Sequence, residues 1–164
     1  MKKVVIIMGS LSDEPVCREA ANALEELGVP HAVRVCSAHR TPVALRDIVF
    51  GAEKADAGAF ICIAGMAAHL AGAVAALSVL PVVGVPVASG GLGGLDALLS
   101  TAQMPPGVPV AAVAVNGGRN AALLCAQMLA IGDGALRQAL KAARAGMAQK
   151  ITEQDAALQA RLSD

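Results

Sequence analysis

Short, unbroken apolar runs alternate along this chain with longer segments of helical period. The runs are Val4–Met8, Ala32–Val35, Ala59–Ile63, Val82–Val85 and Val110–Val115. Continuous apolarity over so few residues, rich in Val and Ile, is how strands covered on both faces of a parallel sheet read. Between them, Glu14–Leu27 sets Val16, Ala20, Ala23, Leu24 and Leu27 on one helical face and stops at Gly28. Glycine is the residue that most easily takes the left-handed conformation ending a helix. Pro42 suits the first position of a second helix running to about Lys54, where its missing N–H has no helical partner to lose. Ala67–Leu77, Gly94–Thr101 and Asn120–Ile131 continue the alternation. Gly134–Leu162 then reads as one long helix, with Leu136, Leu140, Ala143, Met147 and Ile151 forming a stripe that Leu158 and Leu162 extend more loosely.

Strand and helix alternating throughout predict an α/β three-layer sandwich, flavodoxin-like, with a mostly parallel sheet and helices on both faces. Residues 1–164 read as a single domain without repeat or linker. The stripe on the terminal helix, about 134–162, is longer than a compact body can cover. It is expected to reach a neighbouring subunit in a homo-oligomer.

Charge and composition narrow the function. Thirteen Lys and Arg balance thirteen Asp and Glu, which argues against nucleic-acid binding through a basic face but leaves room for a small anionic ligand. Phe50 and Phe60 are the only aromatic residues besides histidine, so neither base stacking nor a flavin platform is favoured. Cys17, Cys36, Cys62 and Cys125 are widely spaced and read as buried free thiols in a reducing compartment. The apolar run in MKKVVIIMGSLSDEP is too short for a signal peptide, and an acidic, serine-rich segment follows it. Residues 58–88 are apolar but are broken by His69, Pro81, Pro86 and glycines, so no membrane span is expected. A cytoplasmic enzyme is the resulting expectation.

In parallel α/β sheets, ligands bind beyond the carboxyl ends of the strands, and here those ends carry the polar residues. After the first run come Gly9, Ser10, Ser12 and Asp13, feeding directly into a helix. Backbone N–H groups and hydroxyls at a helix N-terminus suit a phosphate, and Asp13 can cap the helix or accept from sugar hydroxyls. After the second run come Ser37, His39 and Arg40: a titratable imidazole beside a guanidinium fork that matches phosphate or carboxylate. After the third, Gly65 permits close backbone approach. His69, a few residues on, either faces the site or bonds a backbone carbonyl. The fourth run opens into SGGLGGLD, residues 89–96, a mobile loop or a tight approach to ligand. His31 reads as a surface residue. No metal-ligand pattern, H-E-x-x-H, carboxylate cluster or cysteine pair is present, nor a G-x-S-x-G elbow.

Taken in order, GSLSD, SAHRTP, AGMAAHLAG, PVVGVPV, GLDALLSTAQMPPGVPVA and NAALLCAQMLA resemble the PurE family of de novo purine synthesis from about residue 4 to residue 131. SAHRTP with AAHL resembles its class I branch, which moves a carboxylate from the exocyclic nitrogen of N5-carboxyaminoimidazole ribonucleotide to ring carbon C4. Class II members, which carboxylate aminoimidazole ribonucleotide with CO2, typically read S-A-H-K and A-G-R-S-N. The resemblance implies a flavodoxin-like catalytic domain, usually octameric, with the C-terminal helix exchanged between subunits and neither metal nor organic cofactor. It implies His39 as the essential histidine and Ser10, Asp13 and Arg40 as contacts to a nucleotide substrate. Two departures stand out: Ile63 where many class I members have glycine, and the SGGLGG form of the loop. Two other readings compete: a class II-like carboxylase using CO2, and an FMN-binding flavodoxin-like electron carrier.

Overall fold

In the computed structural model, which describes residues 1–163, five parallel strands form one sheet in the order β2-β1-β3-β4-β5. They are β1 (Lys3–Met8), β2 (His31–Val35), β3 (Ala57–Gly65), β4 (Val82–Val87) and β5 (Ala111–Ala112). The helices are α1 (Glu14–Glu26), α2 (Pro42–Lys54), α3 (Leu70–Ala75), α4 (Leu95–Ala102), α5 (Gly118–Leu129) and α6 (Gly134–Leu162). This is the flavodoxin-like sandwich that the alternation predicts.

Side chains alternate across the sheet because successive residues of a strand point to opposite faces. Ile6, Met8, Ile61, Ile63, Val83 and Val85 pack beneath α1 and α5, joined by Ala20, Leu24, Ala122 and Cys125. Val5, Ile7, Phe60 and Cys62 face the other way, onto Leu45 and Val49 of α2 and Leu70 and Val74 of α3. The four cysteines are free and buried. Burial pushes the thiol of Cys125 up to about 12 and raises that of Cys62 as well, so both stay protonated and behave as small apolar residues.

Most ends shift by one or two residues from the sequence reading, and three elements differ in a way that has a physical cause. β2 is not covered on both faces: at the sheet edge it pairs only with β1, and Val33 and Val35 remain exposed. The fifth strand contracts to two residues. Val113 and Asn116 still donate to the carbonyls of Gly84 and Pro86 at 3.1 and 2.8 Å, but Pro86 has no N–H to return the bond, and the ladder lapses. The third helix begins at Leu70 rather than Ala67 because Met66 takes a left-handed backbone, φ 55°. Ala67–His69 become a tight turn, with the N–H groups of Ala68 and His69 donating two residues back at 2.9 and 2.8 Å.

At the C-terminus the side chain of Asp133 caps α6 by accepting from the Leu136 N–H at 3.0 Å. Leu136 is the one buried residue of this 29-residue helix, which extends about 44 Å at 1.5 Å per residue. No helix among the described residues is long and apolar enough to cross a membrane.

Candidate active site

The strand order makes the site. Because β1 lies between β2 and β3, the loops after all three meet at the carboxyl edge of the sheet. Backbone bonds bind the strand ends together: the Cys36 N–H donates to the Met8 carbonyl and the Gly9 N–H to the Ile63 carbonyl, both at 2.9 Å. The result is a cleft of about 530 Å3 lined by Ser10, Ser12 and Asp13, by Ser37, His39 and Arg40, and by Gly65, Met66, His69 and Ser89. It can hold a ligand of nucleotide size.

Asp13 folds back on its own loop. Its carboxylate accepts from the Ser10 N–H at 3.2 Å and the Ser12 hydroxyl at 3.4 Å, while Ser10 Oγ accepts from the Ser12 N–H at 3.4 Å. This reciprocal capping closes a short 3-10 turn, Leu11–Asp13, that leads into α1. Asp13 is buried, and desolvation raises its pKa despite the opposing pull of the bonds from Ser10 and Ser12. A buried carboxylate held this way is a fixed acceptor that a ligand hydroxyl can join.

Across the cleft, the turn after β2 carries His39 and Arg40. Ser37 Oγ accepts from the Arg40 N–H at 3.2 Å, and the Arg40 guanidinium donates to the Gly9 carbonyl at 3.2 Å. That second bond fastens the β2 loop to the β1 loop and uses one of five guanidinium N–H donors. His39 Nε2 lies 2.9 Å from His69 Nδ1, with the rings edge to face, 75° apart. One nitrogen of this contact must carry the hydrogen and the other must accept it, so while it holds, the two rings cannot both be imidazolium.

Residues 3–150 match the model of AIR carboxylase. The chain belongs to the AIR carboxylase family. It is 50% identical over 147 residues to the N5-carboxyaminoimidazole ribonucleotide mutase of Pyrococcus abyssi, covering 90% of this chain and 84% of that one. It is 49% identical over 157 residues to the protein of that name from Mycobacterium tuberculosis, covering 96% and 90%. Among solved structures, Treponema denticola PurE superposes with a TM-score of 0.84 at 31% identity, covering 95% of this chain and 98% of that one.

In this AIR carboxylase-family chain, the strand-end residues Ser10, Ser12, Asp13, Ser37, His39, Arg40, Gly65 and His69 line the same cleft. Two of them have partners that the sequence does not show. His69, for which either the site or a backbone carbonyl was open, bonds His39 from the N-cap of α3. The space at Gly65 is filled by Ser89: a Cβ there would overlap the Ser89 hydroxyl and stand 3.3 Å from the Val87 carbonyl oxygen. Thus the glycine admits the β4 loop to the site rather than only a ligand. His31 is less exposed than a surface residue, at 16%, and lies 3.3 Å from the Val29 carbonyl, away from the cleft.

The sequence reading passed over Met66 and Ser89. Ser89 opens the glycine loop as the cap of a second short 3-10 turn, Gly90–Leu92. Gly94, at φ 89°, ends the loop, where a Cβ would lie 2.7 Å from Val115 and 3.1 Å from the Ala88 backbone. The close approach at Gly94 is thus to the chain's own Val115 and Ala88 and not to a ligand, and of the 89–96 loop Ser89 lines the cleft.

Proposed function

We propose that the protein is an N5-carboxyaminoimidazole ribonucleotide mutase, an isomerase of purine biosynthesis that moves a carboxylate from N5 to ring carbon C4. The observation that carries this reading is close sequence similarity to proteins of that name over most of the chain, joined to a cleft with a guanidinium, a capped carboxylate and paired imidazoles. Arg40 and Ser10 hold the phosphate, Ser37 supplies a hydroxyl donor, and Asp13, which Ser12 steadies, accepts from the ribose. Gly65 and His69 close the wall nearest the base.

The reaction proceeds in two steps that balance one proton. His39, protonated, gives its proton to N5 as the carbamate N–C bond breaks, leaving aminoimidazole ribonucleotide and CO2 in one pocket. Carbon C4 then forms the new bond to CO2, and neutral His39 removes the C4 proton as the ring regains aromaticity. His39 ends as it began, and the carboxylate has changed atoms. Keeping both fragments in contact replaces a bimolecular encounter by an oriented one, a contribution that reaches roughly 7 kcal/mol or more. His69 fixes which nitrogen of His39 carries hydrogen.

The assay that tests this supplies purified protein with either N5-carboxyaminoimidazole ribonucleotide or aminoimidazole ribonucleotide plus bicarbonate. Turnover of the first is expected. Turnover of only the second would return the carboxylase reading, which the names of the similar proteins do not favour. Replacing Arg40 by glutamine should raise KM for the nucleotide by about 10- to 100-fold, since a hydrogen bond to a charged group contributes about 1.5–3 kcal/mol. Unchanged KM would remove Arg40 from the phosphate site.

The same reading makes the protein a cytoplasmic homo-oligomer, octameric by family resemblance, with residues 1–164 as one catalytic domain. Support comes from α6. Met147, Ile151, Leu158 and Leu162 stand exposed on a single chain, and a groove of about 510 Å3 between α5 and α6 is lined by Leu123, Ile131, Leu140 and Met147 with Arg137, Lys141 and Arg144. The far half of α6 carries Glu153 and Asp155 along with Lys150 and Arg161 beside its apolar stripe, so burial of apolar surface and not charge is what this face offers a neighbour. Ile151→Asp combined with Leu158→Asp should reduce the mass found by light scattering to that of smaller species. An unchanged mass would rule out this face as the interface.

A further inference from the structure

Thr41 occupies the N-cap of α2, directly before Pro42. A threonine there ordinarily turns its hydroxyl onto an N–H of the first helical turn. Here it makes no such bond. Its Oγ1 accepts instead from the Ser37 N–H at 3.1 Å and donates to the Ser37 carbonyl at 3.0 Å. The Thr41 N–H also donates to that carbonyl, at 2.9 Å, and the buried thiol of Cys36 lies 3.3 Å from Oγ1. Both ends of the turn that carries His39 and Arg40 are thus clasped by one side chain. The turn's own interior bond, Arg40 N–H to Ser37 Oγ, depends on where Ser37 is held.

We infer that Thr41 is a positioning residue whose hydroxyl, withdrawn from capping its helix, holds the 37–41 turn so that His39 meets His69 and Arg40 meets the β1 loop. The inference rests on the mutase reading for its kinetic consequence, but not for its structural one. Hydroxyl and backbone form a closed ring across the turn. Without the hydroxyl, a single backbone bond remains between Ser37 and Thr41, and a turn held at one point can pivot about it. Displacing a catalytic group by about 1 Å can cost on the order of 10²-fold in rate.

The test compares Thr41→Val, which keeps the shape and removes the hydroxyl, with Thr41→Ser, which keeps the hydroxyl. Thr41→Ala serves as a second hydroxyl-free variant should Thr41→Val not fold. In wild-type protein without substrate, imidazole 15N resonances should report one hydrogen shared between His39 and His69. That signature should be lost in Thr41→Val and kept in Thr41→Ser. On N5-carboxyaminoimidazole ribonucleotide, kcat of Thr41→Val should fall by roughly 10- to 100-fold and KM should rise as Arg40 loses its place, by less than in Arg40→Gln, and Thr41→Ser should restore both. An unchanged imidazole signature in Thr41→Val, or equal impairment of Thr41→Val and Thr41→Ser, overturns the inference. A wild-type protein without mutase turnover, yet with an imidazole signature that responds to Thr41, would fail the mutase reading and leave the positioning role standing.

Discussion

Replacing His39 by asparagine lowers turnover by about 10²–10⁴-fold, the range expected when a positioned general acid–base group is lost. Asparagine is shorter and gives up the Nε2 contact to His69, but the bonds that hold the 37–41 turn run through Ser37, Arg40 and Thr41, so the turn itself is disturbed little. What it lacks is any capacity to give a proton to N5 or take one from C4. The side chain is exposed in the cleft, and a substitution there shifts stability by no more than about 0.5 kcal/mol. Loss of rate at an unchanged melting temperature is therefore the expected pair of results, read by steady-state kinetics and a thermal melt. Turnover within a few-fold of wild type would remove His39 from the proton transfer.

Gly118→Ala should destabilise the protein by about 2–3 kcal/mol, at the upper part of the range for overpacking. Helix propensity alone gives the opposite sign, because alanine is favoured over glycine by roughly 1 kcal/mol within a helix. Position decides between them. Gly118 starts α5 where that helix crosses α1, and a Cβ there would overlap the Val16 carbonyl oxygen and stand 3.1 Å from its carbonyl carbon. The obstruction is main chain, so no rotamer change relieves it; α1 and α5 must move apart. The alanines between them, Ala20, Ala23, Ala121 and Ala122, are all fully or nearly fully buried and would lose contact together. For a domain of this size, about 2–4 °C of melting temperature is lost per kcal/mol, so a drop of roughly 5–10 °C is expected. Val16 lies three residues beyond Asp13, so pushing α1 outward also disturbs the Ser10–Asp13 capping loop, and a rise in nucleotide KM should accompany the thermal effect. A variant at least as stable as wild type would show that the two helices separate without cost.

Much of this architecture is local and legible in the sequence. Apolar runs such as Val4–Met8 and Val82–Val85 carry strand character in every residue, and Gly28 and Pro42 mark helix ends by their own backbone limits. Less regular elements were misjudged where a distant or unusual backbone intervened. Pro86 on β4 shortens β5, and Met66, in a conformation that non-glycine residues rarely take, delays α3. Neither effect leaves a mark in hydrophobic periodicity.

For the candidate site, the residue types were readable and the partnerships were not. Ser10, Asp13, His39 and Arg40 stand out as polar residues following apolar strands, and that pattern needs no structure. Which of them touch depends on chain segments far apart in sequence. His39 meets His69 across thirty positions because β1 separates β2 from β3 by one strand, bringing their ends to one edge. Ser89 enters the site only because Gly65, on the adjacent strand, has no side chain to exclude it. Thr41 stands at the N-cap of α2, yet its hydroxyl bonds Ser37 across the 37–41 turn because the loop before it brings Ser37 within reach. The sequence by itself determined the alternation of strand and helix, the balance of charge and the types of polar group at the strand ends, since these follow from side-chain chemistry and short-range backbone preference. Only the tertiary structure decided the pairing of the histidines, the filling of Gly65 and the task of Thr41, because hydrogen bonds and close packing are fixed by distances that strand order sets.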